Sequence, residues 1–431
     1  MGPSGTERAW SRRDLRSVFG RSAVTWWRNV APGADIQHLG CLGHLGAWRV
    51  LDTDSLSRLR EAIRRRAEAD RTVLDELREE VRPLAAQVQE IKSRSATAVS
   101  VVAADGGNNR LEFDPYLMQV IRIVDSYGRL LVFDVISTST DTRELSEAQF
   151  DSAGNPRTAL GHLMKDLGVG YLHELSPMIP DSRRRREREA GPSWVQVYRD
   201  LCEWAALYHE LTRTSFATDT LVVRDGLLRS KLFTRELFVT MCHRIEEAIE
   251  RVYREDRRRV FLVGLAKRSK VLTRYQLAMA IEGILAGDYP CFVRVPRELE
   301  MKAFVWPEWA MSEAATEGSE VPKFVAGVLH FVRFGRSPHD QVWPVDILES
   351  QADAAPVILG YLLADAREGF PVPNYPRCLQ KAHEQAALTG LDIAMLQDAI
   401  FEGIRDTLPE RRRTVLDSFR LKGDGAALRY E

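Results

Sequence analysis

The stretch Val101–Gly107, VVAADGG, decides the expected fold of this chain. Its apolar, β-branched start predicts a buried strand, and its end places Asp105 on a double-glycine turn. The same design returns at Leu221–Gly226, LVVRDG, where a second strand delivers Asp225 to its carboxyl end. Sheet-based folds bind their ligands at that end of the strands. Two aspartates at strand ends therefore predict a shared site.

The predicted elements around these aspartates follow the order β-β-β-α-β-α-β. This is the succession of an α/β fold with a ribonuclease H-like core, in which two parallel strands extend three antiparallel ones through helical crossovers. We therefore expect a mixed sheet flanked by helices. The runs of strand-like or helical periodicity are 98–104, 117–125, 130–137, 194–212, 220–224, 234–253 and 260–265.

Segments on either side of this core complete the expected organisation. Residues 1–95 begin with an irregular segment and continue, from Ser55 to about Ser93, with apolar residues at helical spacing. That spacing predicts a long N-terminal helical arm, or a helical pair divided at Pro83, which packs either on its own domain or in a dimer. C-terminal additions should complete one domain over 96–408, and 409–431 should form a charged tail.

Composition excludes several classes of protein. The chain has 431 residues, 45% of them hydrophobic, and its 60 basic and 61 acidic residues leave a net charge of -1. It therefore has enough apolar residues for a core and no global positive field for nucleic acid. Widely spaced cysteines without a C-x-x-C pair, together with no membrane-length apolar stretch and no signal-peptide core, favour a cytoplasmic protein away from membranes. The cysteines are Cys41, Cys202, Cys242, Cys291 and Cys378.

The two aspartates fit the chemistry of a divalent cation. An Asp-Gly pair taken singly is more often an ordinary turn, but two such pairs after apolar strands favour a metal site. Carboxylate oxygens prefer magnesium or manganese to zinc. A third acid is expected from the intervening helix, where Glu203 and Glu210 are seven residues apart and can share a face. Glu203 is favoured because it borders the apolar stripe, and Glu210 remains a competitor.

A later element and a cationic turn supply further candidates. In Asn374–His383, NYPRCLQKAH, Tyr375 ends a loop and His383 follows on the next helix. Histidine there could ligate metal or move protons, and tyrosine could hydrogen-bond a phosphate oxygen, although a lone helical histidine is more often structural. Lys267 follows an apolar strand and could bind phosphate together with its basic neighbours. The basic run Arg183–Arg186 could reach DNA but is more often simply solvated.

Taken together, these motifs resemble the NurA family of nucleases over roughly 95–390. The matching pieces are ADGG at 104–107, a helical glutamate before VRDGLL at 223–228, VGLAKRS at 263–269, and YP at 375–376 followed by AH at 382–383. The resemblance implies that Asp105, Glu203, Asp225 and His383 surround manganese or magnesium, and that Tyr375 and Lys267 assist catalysis. Gly107, where the family often has serine, and Arg224, where it has a neutral residue, depart from the pattern.

That resemblance also implies an activity and partners. We expect a divalent-metal-dependent deoxyribonuclease, with 5′–3′ exonuclease and single-strand endonuclease activity. It would act as a homodimer beside a HerA-type hexameric ATPase, in DNA-end processing or anti-phage defence. One alternative is an actin-like nucleotide-hydrolysing enzyme, which elaborates the same core but continues its phosphate-binding turn differently. The other is a catalytically inactive scaffold of a DNA translocase.

Overall fold

The computed structural model describes residues 53–94, 99–113, 116–137, 139–182, 193–304 and 323–414. For residues 53–54, 99–113, 116–117 and 390–391 it describes the backbone alone. The predictions for residues 1–50 and for the basic run Arg183–Arg186 lie outside the described residues. The chain divides into two compact units, Met1–Thr72 and Val73–Glu431. The sheet and the candidate site belong to the second unit.

From Val99 to Leu265 the strands and helices follow the expected order, with three short helices added before the first long one. The strands are β1 (Gln89–Glu90), β2 (Val99–Phe113), β3 (Tyr116–Asp125), β4 (Leu130–Ser137), β5 (Asp219–Asp225), β6 (Val260–Leu265), β7 (Cys291–Arg294), β8 (Gly327–Arg333) and β9 (Val342–Leu348). The α-helices are α1 (Thr53–Ala69), α2 (Arg71–Val81), α3 (Thr142–Glu147), α4 (Ala159–Asp166), α5 (Leu172–Leu175), α6 (Ser193–Arg213), α7 (Leu237–Asp256), α8 (Lys270–Ile281), α9 (Arg297–Ala303), α10 (Ala355–Arg367), α11 (Arg377–Ala386) and α12 (Gly390–Thr407).

Across the described residues, the strands form one nine-stranded sheet in the order β1-β7-β8-β9-β6-β5-β2-β3-β4. Strands β2, β3 and β4 are antiparallel neighbours, and β5 and β6 extend β2 in parallel. This arrangement confirms the predicted α/β class and its mixed sheet. The antiparallel strands β7, β8 and β9 widen the sheet beyond β6, as C-terminal additions to the core.

Helices cover both faces of this sheet because its central strands are apolar on both sides. On one face, α6 and α7 pack on Ile121, Val222 and Leu262. On the other face, α10 and α11 pack on Val223 and Val263. Successive side chains of a strand point to opposite faces, so neighbours in β5 belong to different cores. The sheet thus forms the middle layer between two helical layers.

Local pattern and tertiary structure differ at two places. The expected turn at Asp105–Gly107 is wrong, because β2 continues as a strand to Phe113 and pairs through both glycines with β3. Strand β3 supplies the hydrogen-bond partners that hold these glycines extended. The stretch after β4 was expected to be a polar connection, yet it contains α3, α4 and α5, which bury Leu163 and Leu172 against α6.

The N-terminal arm is a pair of helices rather than one. Helix α1 ends at Ala69 and α2 begins at Arg71, so the division falls before Pro83. Pro83 instead lies in the first turn of a 3-10 helix, Arg82–Gln87, a position where proline costs no hydrogen bond. No described helix has the length and apolar character that crossing a bilayer requires.

Candidate active site

Asp105, within β2, and Asp225, at the end of β5, lie at neighbouring positions of the sheet. Strands β2 and β5 run in parallel, and their last registered pair is Ala104 opposite Arg224. Asp105 and Asp225 each follow one residue later on these adjacent strands. The backbone register therefore places the two aspartate positions side by side. The side chain of Asp105 lies outside the described part of the structure.

Asp225 occupies the carboxyl end of β5 and contacts a lysine from the next strand. Its Oδ2 lies 3.0 Å from Nζ of Lys267, which follows β6. The carboxylate is 18% exposed and the ammonium group 51% exposed, so the pair lies at the surface edge of the sheet. Gly226 then turns the chain with φ +115°, a conformation that favours glycine, and donates its N–H to the Leu265 carbonyl at 2.7 Å.

Arg224 connects this strand end with α6. Its guanidinium lies 4.4 Å from the Trp204 ring centroid, and its Nη1 donates to the Leu227 carbonyl at 3.0 Å. Its Nη2 lies 3.8 Å from Oε2 of Glu203. Burial lowers the pKa of Arg224, while the carboxylates of Glu203, Asp200 and Asp225 oppose that shift. The buried guanidinium of Arg224 therefore interacts electrostatically with both Glu203 and Asp225. The two acids thus share one electrostatic neighbourhood, that of Arg224.

The structure separates the two glutamates that competed for the third acid. Glu203 also pairs with Arg199, at 3.2 Å, and its side chain is 16% exposed. Glu210 lies about two turns further along α6 on the same face. It pairs there with Arg129, in the turn between β3 and β4, at 3.3 Å. Since α6 runs antiparallel to β5, its earlier residues lie nearer the carboxyl end of β5. Glu203 is therefore the glutamate at the strand-end cluster.

Tyr375 and His383 come from the opposite face of the sheet. The Tyr375 ring is buried, 4% exposed, and lies 4.7 Å from the Trp343 ring. The loop that carries it leads through Pro376 into α11, which packs on β2 and β3 and bears His383 on an exposed position. Helix α11 thus approaches the strand that contains Asp105. Tyr375 packs in the core beneath this region rather than on its surface.

The donors at the strand end fit a divalent cation. Asp225 and Glu203 provide carboxylate oxygens, which magnesium and manganese prefer. Each acid is neutralised by a nearby cation, Lys267 for Asp225 and Arg199 for Glu203. Among the residues with described side chains, no three His, Cys, Asp or Glu groups converge in a metal-holding arrangement. The backbone register brings the position of Asp105 to the same edge.

Sequence reasoning missed a buried charge network behind the loop that follows Asp225. Asp346 accepts two hydrogen bonds from Arg229, at 2.6 and 2.9 Å, and one from the Leu228 N–H at 3.0 Å. Glu300 accepts from Arg229 at 3.0 Å. Asp346 and Glu300 are fully buried. The available signal was an aspartate within the otherwise apolar strand VWPVDIL, since a lone buried charge requires a partner.

Comparisons with known proteins return solved structures alone. No protein-family model matches the chain, and no curated protein matches it. The NurA nuclease from Sulfolobus solfataricus is similar at a TM-score of 0.39 and 12% identity, over 81% of this chain and 98% of that chain. NurA with manganese gives a TM-score of 0.35 and 13% identity, over 80% and 98%. NurA bound to dAMP and manganese gives 0.32 and 10%, over 79% and 94%. These structures carry the name of the family that the sequence motifs resemble.

Proposed function

We propose that this protein is a divalent-metal-dependent nuclease that hydrolyses phosphodiester bonds of DNA. The observation that carries the proposal is the strand-end cluster. Asp225 lies beside the backbone position of Asp105, within the electrostatic neighbourhood of Glu203, and 3.0 Å from Lys267. Acidic metal ligands beside a lysine are what cleavage of a phosphodiester requires, because the charge of the scissile phosphate must be neutralised.

The metal ligands would be Asp105, Glu203, Asp225 and His383. The first three provide hard oxygen donors from β2, α6 and β5, and His383 approaches on α11 from the other face. A bound manganese or magnesium ion would supply Lewis-acid neutralisation of the phosphate charge. Glu203 is preferred to Glu210 because it contacts Arg224, the residue that precedes Asp225.

Lys267 would bind the substrate phosphate directly. Its ammonium group is half exposed and rests on Asp225, so it can turn from that carboxylate to a phosphate oxygen without crossing the core. Arg268 and Lys270 are exposed on the same turn and add local positive charge, which the net charge of -1 does not supply. Tyr375 would support this region from the core, since its ring is buried against Trp343.

Cleavage of linear double-stranded and single-stranded DNA with manganese would test the proposal. We expect Asp225→Asn and Asp105→Asn each to abolish cleavage. The matched control is Asp219→Asn, which changes the same residue type at the opposite end of β5, where Asp219 accepts the Arg259 N–H. Wild-type cleavage by both Asp105 and Asp225 variants would place the activity elsewhere and end the proposal.

The finer parts of the function rest on the motif resemblance. We propose 5′–3′ exonuclease and single-strand endonuclease activity, a homodimer, and work beside a HerA-type hexameric ATPase in cytoplasmic DNA-end processing or anti-phage defence. Cleavage of end-labelled DNA would show the direction of digestion, and sedimentation would measure the mass of the oligomer. A pull-down with a HerA-type ATPase, with and without the charged residues 409–431, would read the partnership. A negative result in one of these experiments would rule out the corresponding finer proposal. The nuclease activity itself is decided by the cleavage assay on the aspartate variants.

A further inference from the structure

The loop after Asp225 crosses a groove that one cross-sheet row of residues creates. Arg224 in β5 is registered with Gly264 in β6, and Gly264 is registered with Asp346 in β9. Residues paired in this way project to the same face of a sheet. Because the middle residue has no side chain, the row Arg224–Gly264–Asp346 is open at its centre. The chain from Gly226 to Leu228 fills that opening.

The space above Gly264 is fully used by this loop. A Cβ on Gly264 would collide with the Gly226 carbonyl oxygen and with the Leu228 nitrogen. Gly327, on β8, has the same constraint, because a Cβ there would meet the Asp346 side chain and the Leu228 Cβ. Backbone approach this close is possible only at glycine. The loop therefore packs directly against the backbone of the sheet at these glycines.

Hydrogen bonds hold the loop at both ends of the row. On one side Arg224 Nη1 donates to the Leu227 carbonyl at 3.0 Å. On the other side the Asp346 carboxylate accepts the Leu228 N–H at 3.0 Å, and the Arg229 guanidinium closes over it at 2.6 and 2.9 Å. Consecutive backbone groups of the loop are thus fixed from opposite directions, within three residues of Asp225.

The charge network at Asp346 is a weak source of stability, because its charges must be taken out of water. Asp346 and Glu300 have fully buried side chains, and Arg229 is 14% exposed. Buried ion pairs of this kind often contribute no more stability than apolar residues of the same size, because both charges lose their hydration. What the network does provide is a defined direction for the backbone between Gly226 and Arg229. The relevant effect of the network on the site is therefore the fixed backbone geometry of this loop, rather than a gain in stability.

We propose that Asp346 is a positioning residue that, through Arg229 and the Leu228 N–H, sets the direction of Asp225 at the strand end. The inference rests on the proposed nuclease function, and it adds a residue that lies outside the motifs. Partners behind a metal ligand typically change metal affinity or activity by about 10- to 100-fold when they are removed. Asp346 acts through the backbone of the loop and does not contact the phosphate.

Two measurements on Asp346→Asn would test the inference. Hydrogen exchange of the metal-free protein would read the Leu228 amide, and electron paramagnetic resonance titration would read manganese binding. We expect faster exchange at Leu228 and manganese binding weakened by about 10- to 100-fold, in a protein whose thermal transition stays well above the assay temperature. The matched control is Arg297→Gln, which removes contacts from Glu300 and Glu349 on the rim of the network and leaves the loop contacts in place.

A second variant covers the case in which Asp346→Asn does not fold. Arg229→Lys keeps a cation beside Asp346 but loses the paired hydrogen bonds, and it should weaken manganese binding to a smaller degree. Wild-type exchange at Leu228 and wild-type manganese affinity in the folded variants would overturn the inference. If the unaltered protein bound no manganese at Asp225, the proposed function would fail, and exchange at Leu228 would still decide whether Asp346 fixes the loop.

Discussion

The Nζ of Lys267 lies 3.0 Å from the Oδ2 of Asp225, across the carboxyl ends of two adjacent parallel strands. The same oxygen is a proposed metal donor, so the lysine and a divalent cation would compete for it. Under the proposed function, this relationship would give Lys267 two effects of opposite sign. It would oppose metal binding by holding the carboxylate, and it would assist cleavage by offering positive charge to the phosphate.

Lys267→Met should separate these two effects. Because the ion pair is partly exposed and worth at most about 1 kcal/mol, manganese should bind up to about fivefold more tightly. DNA cleavage should nevertheless fall by about 10²-fold, since a positive group at the phosphate is lost. Calorimetric titration and single-turnover cleavage would measure the two quantities. Arg268→Met is the matched control, and weaker manganese binding with unchanged cleavage in Lys267→Met would contradict the assignment.

The two glutamates of α6 should differ sharply in function. Glu203→Gln removes a proposed ligand at the strand end, so cleavage should fall by more than the about 10- to 100-fold that outer partners usually cost. Glu210→Gln changes the pair with Arg129 and the hydrogen bond from the Thr214 hydroxyl, and it should leave cleavage within about twofold of the wild type. Initial rates with manganese would compare the variants. A larger loss in Glu210→Gln than in Glu203→Gln would reverse the choice of the third acid.

Glu300 should make the protein less stable as the pH rises. Burial raises its pKa from 4.5 to about 7, against the opposing effect of Arg229 and Arg297. The folded state therefore holds a proton that the unfolded state releases between these values, and stability falls through that window by on the order of 3 kcal/mol. In urea unfolding from pH 4 to 8, Glu300→Gln should lack this fall, so its stability should rise with pH more steeply than that of the wild type, in which the buried His330 acts in the opposite direction. Glu349→Gln, at the exposed rim, should keep the slope.

His330 should have the opposite pH dependence. Burial lowers its pKa from 6.5 to about 4, although a hydrogen bond with the Val328 carbonyl opposes the shift. Its contribution to stability is present above pH 6.5 and is lost as the pH falls through about 4, because the unfolded state takes up the proton first. His330→Gln should remove that acid-side loss in urea unfolding. If its slope matched the wild type, His330 would not be the group responsible.

Gly226 should tolerate no side chain. Its φ of +115° is strained for any other residue, and a Cβ would meet the Arg224 guanidinium. Gly226→Ala should therefore lower the free energy of unfolding by about 1–3 kcal/mol. Gly154 also has a positive φ, of +77°, but open space around its Cα position. Gly154→Ala is thus the control for conformational strain alone, and an equal loss in both variants would exclude the contact with Arg224.

Local sequence determined the main strands and helices of this protein, but not the full length of β2 or the short helices α3, α4 and α5. The apolar runs that end in Asp105 and Asp225 predict β2 and β5, and the helical spacing after Trp194 predicts α6. Their order along the chain also restricted the sheet, since two parallel strands joined by a helical crossover have few possible arrangements. The neighbouring positions of the two aspartates follow from that order, because each comes directly after the last paired residue of two adjacent parallel strands.

The register across the sheet was decided only by the tertiary structure. Asp346 lies 117 positions from Arg229 in sequence, and nothing near either residue specifies their pairing. The extended backbone at Gly106–Gly107 likewise depends on β3, since glycines without partners favour turns. Periodicity reports which side chains face a core, whereas a buried charge is satisfied only by the particular partner that folding brings to it. For that reason the candidate acids were visible in the sequence, and the residues proposed to position them were not.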